Sequence, residues 1–239
     1  MYKKLCIKPN DKILVVAPHP DDESIGVGGL LCKYGPQCDL LLLTDGSKGV
    51  SPKEERTGEE IASLRNKEFE NAVSCFRANK ITKLDIEDQT VYKNKKRVYS
   101  YSIKEYDFVF VPNRFDGHID HKVLRKIFGK MKYRQRAKAE IIEYELWSTF
   151  SKPNLFLDIT DVMDKKLGAV SMYASQLESY DYIGLCEGIS KYRGAINHVK
   201  YGEAYYSGRV GKKQDREKML MWFWQRTPRR VRNFIKKIR

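Results

Sequence analysis

The run Ile13-Leu14-Val15-Val16-Ala17 ends abruptly at Pro18-His19-Pro20, and Asp21-Asp22-Glu23 follow at once. Five consecutive apolar residues without polar alternation predict a strand covered on both faces, the usual condition of a central strand in a parallel sheet. The two prolines close that strand into a loop. Asp21 and Asp22 are helix-start residues, and Glu23 is a first-turn acid. Gly26, Gly28 and Gly29 then let the following helix lie close to the sheet. A strand, a polar turn and a helix in this order confine the chain to the α/β class.

The pattern repeats downstream. Leu40 to Leu43 predicts a second strand, ending at Thr44-Asp45-Gly46. A long helix is expected from Glu54 to Asn79, with Ile61, Leu64, Phe69, Ala72, Val73 and Phe76 on its apolar side. Lys83 to Ile86 is a weaker strand and Asp107 to Val111 a strong one. A helix from His121 to Lys132 and a strand from Glu140 to Trp147 complete the series. Alternating strands and helices imply right-handed crossovers and a doubly wound, mainly parallel, Rossmann-like sheet flanked by helices. In such sheets the carboxyl ends of the strands carry the site. The polar groups after three strands, His19 to Glu23, Thr44 to Gly46 and Asn113 to His121, should therefore meet at one edge.

With 239 residues, the chain suits one large domain better than two small ones. We divide it into a body, 1–208, and a tail, 209–239. The five cysteines are scattered, with no CxxC pair, and read as small buried hydrophobes in a reducing compartment. The first residues lack the apolar run of a signal peptide, and no segment has the roughly 20 apolar residues of a membrane-spanning helix. These features predict a cytoplasmic protein.

The block His19 to Glu23 places one imidazole and three carboxylates within five residues. Repulsion disfavours that crowding unless a cation relieves it. His19 and Asp22 have a spacing that can direct both side chains at one ion, and Asp21 can face the same pocket without ligating. The plain alternative is a polar helix cap. The second block is His118-Ile119-Asp120-His121, where His-x-x-His spacing puts two imidazoles on one face of a helical turn. Of the four histidines, only His198 lies outside these blocks, and it is expected to be structural or on the surface. Three protein ligands with one open position mark a catalytic zinc site. His19, Asp22 and either His118 or His121 make such a set. The ion would acidify a bound water and polarise a carbonyl, Asp21 would relay protons, and the spare imidazole would stabilise an oxyanion.

The two blocks, Ala-Pro-His-Pro-Asp-Asp-Glu from Ala17 to Glu23 and His-Ile-Asp-His from His118 to His121, resemble the signature of the LmbE-like, or PIG-L, N-deacetylases. An extra proline precedes the first histidine, and Ile119 stands where the family commonly has proline. Thr44-Asp45-Gly46, Arg65 with Glu68, Lys166 to Gln176, Arg193-Gly194 and Glu203-Ala204-Tyr205 resemble weaker family segments, so the likeness spans about residues 11–208. The resemblance implies one zinc ion per chain on His19, Asp22 and His121. It implies Asp21 as general base and then acid, and His118 as oxyanion donor. Arg65 is a candidate substrate contact, with a buried salt bridge to a carboxylate as the equal alternative. Asp45 either orients His19 or lines the pocket. The implied activity is removal of an acetyl group from an N-acetylglucosamine-type amino sugar. The runner-up is a metal-dependent phosphoesterase, which usually needs two metals and more ligands. A non-enzymatic membrane adaptor with a structural metal leaves Asp21 and His118 without purpose.

Of the net charge of +14, the tail carries +10, because twelve Lys or Arg face only Asp215 and Glu217 after residue 208. Thr227 suits a helix cap and Pro228 a first helical position. Val231, Phe234, Ile235 and Ile238 then form an apolar stripe beside six cations. This basic amphipathic C-terminal helix suits an anionic membrane surface, with docking on its own domain or on a second subunit as the alternative; nothing else resembles a nucleic-acid recognition module. A lipid-linked glycan, such as an intermediate of surface polysaccharide synthesis, is the expected substrate. Oligomeric state is not legible.

Overall fold

The computed structural model describes residues 2–49 and 55–208. Eight strands form one sheet: β1 (Lys3–Lys4), β2 (Ile13–Ala17), β3 (Cys38–Thr44), β4 (Lys80–Ile86), β5 (Phe108–Pro112), β6 (Glu140–Tyr144), β7 (Leu155–Asp158) and β8 (Gly202–Ser207). The helices are α1 (Asp22–Tyr34), α2 (Gly58–Ser74), α3 (Lys95–Tyr99), α4 (Ile119–Gln135), α5 (Met163–Val170), α6 (Ala174–Leu177) and α7 (Tyr182–Ile196). Strand order is β1-β7-β8-β6-β5-β2-β3-β4. All neighbours are parallel except where β8 runs antiparallel to both β6 and β7. The sheet is thus the mainly parallel α/β sheet expected from the sequence, with one reversed strand inserted.

Successive residues of β2 serve opposite faces, as the pleat requires. Ile13, Val15 and Ala17 join the core under α1, α2, α5 and α7, while Leu14 and Val16 join the core under α3 and α4. The strand is buried throughout, which explains its lack of polar alternation. β2 lies between β3 and β5. The chain winds from β2 toward β4 and then returns to the other side of β2 through β5. The loops after β2 and β5 therefore diverge from adjacent strand ends and open the crevice typical of a topological switch point.

Several expected boundaries shift. Helix α2 is shorter than 54–79: a capping box of Thr57 and Glu60 starts it, and Arg77, at φ 55°, turns the chain after it. β6 stops at Tyr144 rather than Trp147. Strands β1, β7 and β8 were not expected: β1 and β7 are two and four residues long, and β8, though six residues long, opens on Gly202-Glu203 and has no continuous apolar run. The glycine-rich α1 does lie against its neighbours. A Cβ on Gly26 would sit 2.4 Å from the Tyr144 ring, and one on Gly29 would sit 2.5 Å from Ile159.

Helix α1 is interrupted at Val27 (φ −137°, ψ 22°), so amides beyond the break lack helical acceptors. The buried carboxylate of Glu203 takes them, accepting from Gly29 N at 2.7 Å and Leu30 N at 3.0 Å. It also pairs with Lys166 Nζ at 2.7 Å and accepts from the Tyr205 hydroxyl. Two more polar hubs brace the sheet edge. Arg193 grips Glu145 through Nε and Nη2, and Glu68 accepts from Ser175 N and Oγ. The weaker motif segments are thus built into scaffolding. Two of the five cysteines, Cys6 and Cys75, are exposed, against the expectation of burial. Cys75 follows the last turn of α2 and Cys6 lies in an edge segment, where no second layer covers them. The segment 209–239, with the expected basic amphipathic helix, lies outside the described residues.

Candidate active site

The two histidine blocks meet across the crevice. His19 Nδ1 is 3.0 Å from Asp22 Oδ2. His121 Nε2 is 3.1 Å from the same oxygen and 3.1 Å from His19 Nδ1. Three ligand atoms from two loops thus form a nearly equilateral triangle. Zinc bonds of about 2.0–2.1 Å in a tetrahedron place ligand atoms roughly 3.3 Å apart, so the donor set fits one such ion. His19 and Asp22 are brought together by the tight turn between β2 and α1, where His19 N also donates to Asp22 Oδ2 at 2.9 Å.

The outer nitrogen of each imidazole faces acids. His19 Nε2 is 3.1 Å from Asp88 Oδ1 and 3.4 Å from Asp120 Oδ2. His121 Nδ1 is 3.2 Å from Asp116 Oδ1. Asp88 Oδ1 and His121 Nδ1 are buried at ion-pair distance but without an aligned hydrogen bond. A carboxylate behind each histidine is the usual support of a metal ligand, since it fixes the tautomer and raises basicity. Burial alone would lower the His19 pKa, yet Asp120, Asp22 and Asp88 hold it well above its ordinary value. Likewise burial opposes, and Asp22 and Asp116 impose, a His121 value raised to about 9. Asp21, Asp22, Glu23, Asp88, Asp116 and Asp120 are all buried here. Such an acid-rich pocket favours positive charge, which Arg65 and the protonated histidines supply and which a divalent cation would supply in place of the two ring protons.

His118 does not lie within the helix, contrary to the one-helical-turn picture. It is the N-cap of α4, in extended conformation (φ −76°, ψ 141°). Its Nδ1 accepts from Asp120 N at 3.2 Å, so the neutral ring carries its proton on Nε2. Burial, then the charges of His19 and His121, lowers its pKa, which favours that neutral form. Its ring centroid is 4.5 Å from that of His19 and 4.9 Å from that of His121. His19, His118 and His121 thus also form a possible donor group, as do His19, Asp88 and Asp120. His118 differs from His121 in having one ring nitrogen already engaged by its own helix.

Asp21 occupies the cap position of α1 but makes no cap hydrogen bond with its side chain, so the plain helix-cap reading does not hold for its carboxylate. Its backbone is in the left-handed half of φ space at 131°, a strained setting for a non-glycine residue. Oδ2 instead accepts from Arg65 Nη2 at 2.9 Å. Burial raises its pKa to about 7 against the opposing pull of Arg65. Arg65 is buried, and its terminal nitrogens also reach Pro20 O at 2.6 Å and Gly46 O at 3.0 Å. Of the two readings of Arg65, the geometry matches the buried salt bridge. Gly46, at φ 65°, is where the chain passes under this guanidinium; a Cβ there would lie 2.7 Å from Nη1. Asp45 lines no ligand triangle. Its Oδ1 accepts from Asp88 N at 3.1 Å, and Asp88 rather than Asp45 faces His19. His198 is exposed beyond α7.

Asp88 and Asp116 were missed by sequence reasoning. Asp116 stands apart from other acids and Asp88 is one of three in Asp85-Ile86-Glu87-Asp88, so nothing local singles either out and only tertiary proximity gives it meaning. Asp120 sat visibly inside the second block; it accepts from Gln89 N at 2.7 Å and Val91 N at 3.1 Å, tying the 88–91 loop to the start of α4.

The family model "PIG-L: GlcNAc-PI de-N-acetylase" matches residues 14–132, which include both histidine blocks. The chain is 30% identical over 235 residues to the diacetylchitobiose deacetylase of Thermococcus kodakarensis, covering 85% of this chain and 87% of that protein. The solved N,N'-diacetylchitobiose deacetylase from Pyrococcus horikoshii superposes with a TM-score of 0.72 at 26% identity, over 86% of this chain and 88% of that one. The 4-carboxy-2-hydroxymuconate hydratase GalB of Pseudomonas putida KT2440 shares the fold at a TM-score of 0.67 and 20% identity, over 84% of this chain and 98% of that one. A hydratase on this fold shows that architecture alone does not set the chemistry.

Proposed function

Because this chain belongs to the PIG-L family of de-N-acetylases, we propose that it hydrolyses the acetamido group of an N-acetylglucosamine-type amino sugar, using one zinc ion. The observation that carries this reading is the triangle of His19 Nδ1, Asp22 Oδ2 and His121 Nε2, with all sides at 3.0–3.1 Å. These three residues would hold the ion. When bound, zinc supplies Lewis-acid polarisation of the amide carbonyl and an acidified water.

The protein's own groups do the rest. Asp21, held by Arg65 and with a pKa near 7, takes a proton from the attacking water and later gives it to the departing nitrogen. A C–O bond forms, the C–N bond breaks, and acetate leaves beside a free amine. His118 donates Nε2–H to the oxyanion that develops on the former carbonyl, a role supported by the tautomer that its Nδ1 contact selects. Asp88 and Asp120 orient His19, and Asp116 orients His121.

The wider context of the substrate is read from charge. The +10 of residues 209–239 supports a lipid-linked or otherwise membrane-associated glycan. No described helix is long and apolar enough to cross a membrane. The decisive experiment is acetate release from N-acetylglucosamine, its disaccharide and lipid-linked forms, with the protein loaded with zinc or stripped by chelator. Release that needs the metal supports the reading; turnover of phosphate esters instead of acetamides would overturn it.

A further inference from the structure

Resting on the deacetylase reading, we infer that Trp147 and Tyr180 form a stacking platform for a second pyranose ring, the one adjoining the sugar that reacts.

Trp147 and Tyr180 are large aromatics left 46% and 59% exposed. They are packed together with centroids 5.5 Å apart and planes at 67°. Tyr182, only 4% exposed, backs both: its ring is 5.4 Å from Trp147 and 5.8 Å from Tyr180. An aromatic trio with one buried and two wet members is costly to leave facing solvent, and is suited to a ligand with an apolar face and polar rim. A pyranose is such a ligand, with axial C–H bonds on its faces and hydroxyls around its edge.

The platform is tied to the catalytic crevice. Trp147 N donates to Asp116 Oδ2 at 3.1 Å, while the other oxygen of Asp116 stands 3.2 Å from His121 Nδ1. One carboxylate thus positions both a metal ligand and the Trp147 backbone. Asn113 Nδ2 holds the neighbouring Ser148 through O and Oγ, so the Trp147 turn is fastened to the loop that carries His118. On the opposite flank, the Asp181 side chain accepts from Gly184 N at 2.8 Å, which starts α7 and fixes the turn bearing Tyr180. Burial first, then the charges of Asp21 and Asp22, push the Tyr182 pKa upward. The trio therefore runs from the crevice wall outward to solvent. A sugar whose acetamide entered the His19–Asp22–His121 triangle would have the platform available to its next ring.

The test is calorimetric binding of N,N'-diacetylchitobiose and of N-acetylglucosamine to the full, zinc-loaded chain in an Asp21→Asn background, so that turnover does not intervene. Trp147→Ala and Tyr180→Ala should each weaken disaccharide binding about tenfold or more, and monosaccharide binding by a clearly smaller factor. Trp147→Phe should restore much of the loss. Tyr180, more than half exposed, provides the variant least exposed to folding effects. Equal weakening of both sugars, no weakening, or a parent protein that binds the disaccharide no better than the monosaccharide would each overturn the platform. Acetate release by the wild-type chain is measured in parallel. Platform-dependent binding without release would leave the platform standing and remove the deacetylase reading.

Discussion

His19 Nδ1 and His121 Nε2 stand 3.1 Å apart although 102 residues separate them in the chain. Two ring nitrogens at that distance cannot both carry a proton and point inward. In the neutral rings that a metal requires, their outer nitrogens face Asp88, Asp120 and Asp116, which would hold the remaining protons outward and leave two lone pairs converging beside Asp22. The first expectation follows. Protein purified without added metal should hold about one divalent ion by elemental analysis. His121→Ala should hold far less than half an equivalent, and full occupancy in that variant would remove the ligand assignment.

Asp21→Asn should keep the metal and the fold while losing about 10²–10⁴ in kcat on an acetamido sugar. The asparagine can still accept from Arg65, so loss through misfolding is not expected, and circular dichroism checks this. Near-normal turnover would assign the proton relay to another acid.

Gly46→Ala tests the support beneath Asp21. The substitution forces an L side chain to φ 65° and into Arg65 Nη1. A shift of the guanidinium displaces Asp21, and a displacement near 1 Å is expected to cost on the order of 10²-fold in rate. Metal content is measured alongside, because the added Cβ lies 2.9 Å from Pro20 Cδ, beside His19; a fall in kcat with the metal retained assigns the effect to Arg65 and Asp21. A variant with intact kcat would show that Asp21 needs no such brace.

The pair Lys166–Glu203 sits far from solvent, with side chains 3% and 4% exposed. Glu203→Gln leaves Lys166 buried without its counter-charge and weakens the acceptor for Gly29 N and Leu30 N. A loss of about 3–5 kcal/mol is expected in denaturant unfolding. Replacing Lys166 by Met in the same chain should recover part of it. If Glu203→Gln alone costs under about 1 kcal/mol, the kinked α1 does not depend on this cap.

The tail carries an expectation of its own. Full-length protein should co-sediment with anionic vesicles, less so as salt rises, since each basic residue near such a surface contributes about 1 kcal/mol. A chain ending at Gln225 should lose most of this binding while retaining activity on a soluble sugar. Equal binding by the shortened chain would end the membrane reading.

The central strand, the order of alternating elements and both histidine blocks could be read from residues alone. A run such as Ile13–Ala17 records burial on two faces, and His19, Asp22, His118 and His121 stand in close-spaced sets whose chemistry is local. The late strands could not be read so. Gly202–Ser207 lacks an apolar run and is reversed between β6 and β7, and its placement comes from pairing partners rather than from its own periodicity. The roles of Arg65 and Asp45 were also open in the sequence. A guanidinium can face substrate or a carboxylate equally well, and only packing put Arg65 beside Asp21.

By itself, then, the sequence determined the class of sheet, the crossover pattern and the groups able to bind a metal, because these follow from hydrophobic runs and side-chain chemistry at short range. Tertiary structure alone decided that Asp88 and Asp116 stand behind the histidines, that His118 caps α4 by accepting at Nδ1, and that Trp147 lies against Tyr180. The physical reason is the same in each case. A solitary acid or aromatic carries no periodic signal, and its function arises from the electrostatic and packing environment created when the loops after β2 and β5 close on one crevice.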